Sequence, residues 1–243
     1  MFLTDRKLEK RIEELEQYRY RDIIELESFE AEEENQGVVN PKLPDTPLKG
    51  SIHTGDTWKG RDRFLWLHKD IPIPAEWKGR RVVGVFDFGN TGGGNNSGFE
   101  SMAYVNGEMY QGVDVNHKEL FLDDALCGTA ADITFRLWSG LEGGGIPRDQ
   151  EHRIARADLA WLDEKVDDLY YMASMVRQTL DELENSDPIQ HELRKALDAA
   201  FRQIDWSVPG SEEFYESVYR ADEMLNQSID SMDKNSMINI YCV

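Results

Sequence analysis

Apolar positions along the chain first recur at helical spacing, then alternate, then return to helical spacing. Leu8, Ile12 and Leu15 mark one face of a helix predicted over residues 5–26, capped by Thr4 or Asp5. The stripe is thin and the opposite face is charged, so this helix needs another surface to pack on. From about residue 28 the period becomes two. Phe29 opens a short strand, and Gly37, Pro41, Pro44, Pro47 and Gly50 break the segment after it into a loop. Phe64, Trp66 and His68 then alternate with Leu65 and Leu67 until Pro72 and Pro74. Val83 and Val85 alternate with Val82, Phe86 and Phe88 in a second run. Asn106-Gly107 predicts a hairpin tip between Tyr104-Val105 and Glu108-Met109-Tyr110. Leu120 to Leu122, Ile133 to Leu137 and Arg153 to Leu162 continue the series. Short strands at this density with glycine-rich joints predict an antiparallel sandwich or barrel.

From Asp163 the helical period returns. Val166, Leu169, Ala173, Val176 and Leu180 form one face. Asp187-Pro188 restarts a helix, with Asp as cap and Pro in the first turn, and Leu193, Leu197, Phe201 and Ile204 as its apolar face. Pro209-Gly210-Ser211 leads into a third, with Phe214, Val218, Ala221, Leu225 and Ile229 inward. Three amphipathic helices with short links predict an antiparallel bundle. Ser236 to Val243 reads as an apolar strand, either joining the sandwich edge or opening a further domain.

Composition narrows the function classes. The chain has 243 residues, 27 Lys+Arg and 47 Asp+Glu, for a net charge of −20. A chain this acidic is a poor partner for phosphate backbones, so no nucleic acid is expected. The acid is concentrated at the two ends, in residues 1–34 and 158–235, where it forms solvated helix faces or a site for a cationic partner. Two distant cysteines, Cys127 and Cys242, make neither a disulfide framework nor a zinc site alone and point to a reducing, cytoplasmic setting. The opening residues are charged and predict no signal peptide, and no apolar run is long enough for a bilayer.

Several motifs carry two readings. The six tryptophans, Trp58, Trp66, Trp77, Trp138, Trp161 and Trp206, either stack on sugar rings or fill the core, Trp66 and Trp138 being the first choices for core. The run Gly89–Gly98 lacks the Gly-Lys-Ser/Thr of a phosphate loop and reads as an inter-strand loop or a mobile rim of a ligand site; Ser139–Gly145 is a second such loop. The five histidines show no helical i, i+4 pair, and there is no Gly-x-Ser-x-Gly elbow. Asp114, Asn116 and His117 place three bonding side chains at a strand end, as an Asx turn or as ligand contacts.

The stretch from Trp58 to Trp138 contains Arg63-Phe64, Ile71-Pro72, Trp77-Lys78-Gly79, Val82–Phe88, Tyr104-Val105-Asn106-Gly107, Gln111-Gly112-Val113-Asp114 and Asn116-His117. It resembles the N-terminal jelly-roll domain of glycoside hydrolase family 38 α-mannosidases. Ala157 to Tyr171 and the helices after it resemble that family's linking segment. In the family, a strand similar to Ile238–Val243 leads into a Gly-His-x-His-x-Asp motif that supplies zinc ligands, and this sequence stops at Val243. The resemblance therefore implies a non-catalytic region of a zinc-dependent retaining α-mannosidase, with the catalytic residues and the zinc in a missing domain.

The expectation is an α+β chain: an N-terminal helix (1–27), a galactose-binding-like jelly-roll β-sandwich (28–162), a three-helix bundle (163–235) and a terminal strand (236–243). It should hold no metal or cofactor itself and hydrolyse nothing. Its expected partners are its own catalytic domain, mannose-containing glycans and copies of itself, with neither nucleic acid nor membrane. Asp114, Asn116 and His117 are the candidate sugar-binding residues. A stand-alone carbohydrate-binding module would instead display a tryptophan in a concave site, and an interaction scaffold would show a large apolar patch.

Overall fold

The computed structural model describes residues 5–34, 37–89, 99–140, 149–184 and 187–232. The Gly-rich runs 90–98 and 141–148 and the terminal strand 236–243 lie outside the described residues. The chain divides into two units: residues 22–162, and residues 1–21 together with 163–243. Among the described residues no helix is long and apolar enough to cross a membrane.

The first unit is an antiparallel β-sandwich. Its strands are β1 (Tyr20–Glu25), β2 (Ser28–Glu34), β3 (Gly50–His53), β4 (Thr57–Gly60), β5 (Phe64–Pro72), β6 (Arg81–Asp87), β7 (Glu100–Val105), β8 (Glu108–Asp114), β9 (Glu119–Phe121), β10 (Ala130–Trp138), β11 (Gln150–Arg153) and β12 (Arg156–Leu162). They form a four-stranded sheet in the order β1-β12-β6-β9, a six-stranded sheet in the order β3-β2-β5-β10-β7-β8, and the pair β11-β4. Period-two patterning puts Leu65, Leu67 and Ile71 of β5 and Ile133, Phe135 and Leu137 of β10 into the core, against Val82 and Phe86 of β6 and Leu159 of β12. The predicted hairpin tip is present between β7 and β8: Asn106 and Gly107 have φ of 52° and 81°, the two positive values a type I′ turn demands. Gly89 opens the first Gly-rich run at φ +108°, where an added Cβ would lie 2.5 Å from the backbone nitrogen of Arg153.

The tryptophans sort by strand face. Trp58, Trp77 and Trp161 fill the main core. Trp66 is buried on the other face of the six-stranded sheet, under Leu48 and beside Tyr104. Trp138 is half-buried, with Nε1 donating to Asp62 at 2.8 Å, because its neighbour Leu137 takes the inward position. Its expected core role does not hold.

The second unit is helical: α1 (Asp5–Glu16), α2 (Glu164–Glu182), α3 (Pro188–Phe201) and α4 (Glu212–Asp230). Asp163, Asp187 and Ser211 cap α2, α3 and α4 by accepting backbone N–H groups. Leu8, Ile12 and Leu15 of α1 share one core with Leu169, Val176, Leu197, Phe201, Phe214 and Leu225, so the bundle has four helices rather than three. The N-terminal helix is also shorter than the expected 1–27. It ends at Glu16, and residues 20–25 form β1. The β-branched pair Ile23-Ile24 disfavours helix there, Asp22 takes a left-handed φ of 53°, and Leu26 N–H donates to Ala157 C=O at 2.8 Å. Most acidic side chains of α2 and α4 face solvent.

One buried histidine in the sandwich titrates against folding. His152 is fully buried, stacks on Trp58 at 4.7 Å between centroids, and its Nε2 bonds the Ser139 carbonyl at 2.8 Å. Burial holds its pKa below the ordinary 6.5, while carbonyls of Ser139 and Gly89 pull the other way. The unfolded chain takes up a proton below about pH 6.5 that the folded chain refuses. Stability from this group is complete above that pH and falls as the pH drops below it. The urea midpoint is expected to decline between about pH 7 and pH 5.5, and His152→Gln should flatten that decline. A parallel decline in the variant would assign it to other groups.

Candidate functional site

The sandwich carries a polar cleft of about 370 Å³, lined by Glu25, Glu27, Thr54, Ala155, Arg156, Ala157 and Asp158. Three separate segments converge on it. Leu26 is buried in the core and ties its backbone to Ala157, so its neighbours Glu25 and Glu27 remain exposed. Thr54 N–H donates to the Glu27 carbonyl at 3.0 Å, and its hydroxyl donates to the Leu26 carbonyl at 3.1 Å. Arg156 and Asp158 alternate on β12 and so share a face, and Arg156 Nε donates to Asp158 Oδ2 at 2.5 Å. Asp158 is buried and Arg156 half-buried. The lining thus presents three carboxylates and one guanidinium, which together can accept from and donate to hydroxyl groups. Its net charge is negative, which opposes an anionic ligand.

Asp114, Asn116 and His117 are brought together at the end of β8. Asp114 Oδ1 accepts from Asn116 N–H at 2.7 Å, from His117 N–H at 2.8 Å, and contacts His117 Nδ1 at 3.0 Å. Burial works to raise the Asp114 carboxyl, but these bonds from His117 and Asn116 outweigh it and the pKa is lowered. The carboxylate is committed to its own turn, while the His117 ring is largely exposed.

A third group lies on the outward face of the six-stranded sheet. His68, Asp70 and Asp132 each place one ligand atom within 4.8 Å of the others. None of these three, nor any residue of the cleft, was among the candidate binding residues read from sequence. The only forewarning was spacing: His68-x-Asp70 and Arg156-x-Asp158 each put two polar groups on one face of a strand.

No tryptophan is exposed; Trp138 and Trp206 are half-buried and the other four are buried. The large exposed apolar residues among the described ones fall in short separate stretches, including Ile23-Ile24, Val38-Val39 and Met109-Tyr110.

No protein-family model matches the chain, and no curated protein matches it. Among solved structures it is similar to the Faecalibacterium prausnitzii beta-glucuronidase, at 12% identity and a TM-score of 0.40 over 58% of this chain and 31% of that one. It is similar to a Ruminococcus gnavus beta-glucuronidase at 10% identity and a TM-score of 0.39, over 59% and 29%. It is also similar to the CBM51-2 (in complex with GlcNAc) and INT domains from Clostridium perfringens ZmpB, at 16% identity and a TM-score of 0.21, over 78% and 45%. The chain spans less than a third of the length of either beta-glucuronidase. At such scores the matches assign neither a family nor an activity.

Proposed function

We propose that this chain is a non-catalytic, glycan-binding region that serves a glycoside hydrolase. The observation that supports it is the cleft: hydroxyl-bonding side chains converge there from three segments, and among them Arg156 and Asp158 are hydrogen-bonded to each other. Its negative charge favours a neutral hexose over a uronic acid. With no exposed tryptophan to stack on a sugar ring, binding rests on hydrogen bonds and should be weak, with a Kd on the order of 1 mM for a monosaccharide, about −4 kcal/mol.

The finer reading comes from the resemblance to family 38 α-mannosidases over Trp58–Trp138 and the helices after Ala157. On it, the parent enzyme is a zinc-dependent retaining α-mannosidase and the ligand carries terminal mannose. On that reading the zinc and the chemical step belong to the catalytic domain of the parent enzyme. The residues of this chain bind glycan and contact that domain.

Calorimetric titration with methyl α-mannoside should give saturable binding that Asp158→Asn weakens at least tenfold with the fold intact by circular dichroism. Methyl glucuronide should bind more weakly than the neutral sugar. Equal binding by the Asp158→Asn chain would remove the cleft as the binding site.

A further inference from the structure

We infer that His68, Asp70 and Asp132 form a binding site for a divalent transition-metal ion of the zinc class. The residues come from two adjacent strands of one sheet. His68 and Asp70 alternate on β5, and the β5–β10 register sets Asp70 directly opposite Asp132. Two carboxylates opposed across a strand pair repel each other and destabilise a sheet, unless a cation sits between them. The imidazole is the second, independent observation. The His68 side chain is more than nine-tenths buried, and its Nε2 has no hydrogen-bond partner. A buried ring nitrogen left unbonded is costly, and in a native structure it calls for an explanation.

The geometry supplies one. His68 Nε2 lies 3.6 Å from Asp132 Oδ1 and 4.0 Å from Asp70 Oδ1. These separations are too long for hydrogen bonds. They are near the spacing of about 3.4 Å between two ligand atoms each 2.0–2.2 Å from a tetrahedral ion. The other ring nitrogen, Nδ1, is 3.3 Å from Glu30 Oε2, which also accepts the Leu48 N–H at 2.9 Å. A carboxylate on the far nitrogen fixes the ring's orientation, the arrangement that supports metal-bound histidines. One nitrogen with two oxygens suits zinc rather than calcium or magnesium, which take oxygen alone. Asp70 and Asp132 are each about half or more exposed, so the ion can enter from solvent and water can complete its coordination. Bound there, the ion pins β5 to β10, the two central strands of the six-stranded sheet.

The test is equilibrium dialysis of the chelator-treated full chain against Zn²⁺, read by elemental analysis, with melting followed in parallel. The wild-type chain should retain one tightly held equivalent and melt about 5–10 °C higher at a hundredfold excess over Kd. His68→Gln and Asp132→Asn should each lose that equivalent. Asp132→Asn should also melt no lower than the metal-free wild type, since it relieves the opposed charges, so its loss of zinc could not be blamed on unfolding. His117→Gln, a surface histidine beside a carboxylate, should keep the equivalent. Zinc retention unchanged in Asp132→Asn, loss of the equivalent in His117→Gln, or no saturable retention in the wild type would each overturn the site.

Discussion

Phe135→Ala is expected to destabilise the sandwich by about 3–5 kcal/mol. Phe135 is fully buried on β10 and lies against three other rings: Phe86 at 4.6 Å, Phe88 at 5.0 Å and Phe29 at 6.5 Å between centroids. Phe86 comes from the facing sheet, so the missing ring removes contacts that join the two layers. Edge-to-face geometry adds about 0.5–1.5 kcal/mol per pair beyond the area buried. The four rings also brace one another, which limits how far the site can collapse around the void. Phe135→Leu keeps much of the volume and should cost roughly half as much. Urea denaturation followed by tryptophan fluorescence checks both, since Trp58, Trp77 and Trp161 share this core. A cost below about 1 kcal/mol for the alanine variant would mean that the aromatic cluster does not hold the sheets together.

Arg19→Ala is expected to cost the helical unit a similar amount, about 3–5 kcal/mol, for an electrostatic reason. The Arg19 side chain is about 95% buried, and its Nε donates to Asp167 Oδ1 of α2 at 2.6 Å. Its guanidinium also lies 4.8 Å from the Tyr171 ring centroid and 5.1 Å from that of Tyr170, an arrangement that favours the cation. Truncation removes the stem, the ring contacts and the cation that Asp167 faces. The carboxylate then keeps the desolvation cost without that return. Adding Asp167→Asn to Arg19→Ala should recover part of the loss, because the carboxylate that faced the guanidinium loses its charge with it. Thermal melts of the two single variants and the double variant measure the coupling. Strictly additive losses would show that packing, not the charge pair, sets the cost.

Much of the fold is legible in the sequence because its signals are local. Asp187-Pro188 and Ser211 start helices for reasons contained in a few residues, and Asn106-Gly107 fixes a hairpin by its backbone preference alone. The misreadings are places where a distant partner decides. Residues 20–25 continue a weak helical stripe, yet they pair as a strand in the sheet with β12. Trp138 sits in an apolar run, yet the phase set by Phe135 and Leu137 turns it outward. The sites were harder still. The cleft is assembled from residues 25–27, 54 and 155–158, and no local pattern links them. Asp70 meets Asp132 only through the β5–β10 register, which period-two patterning does not specify between strands so far apart. Asp114, Asn116 and His117 were visible because they are local, and their strongest bonds are to one another.

Glycan binding by the sandwich is the central claim, and its location is what most needs measuring. Amide chemical-shift mapping during titration with methyl α-mannoside reports both at once. The expected result is saturable shifts confined to Glu25, Glu27, Thr54, Arg156 and Asp158 and their immediate neighbours. Shifts centred instead on Asp114, Asn116 and His117 would move the site to the end of β8. No saturable shift at any sugar concentration up to several times the expected millimolar Kd would contradict the claim.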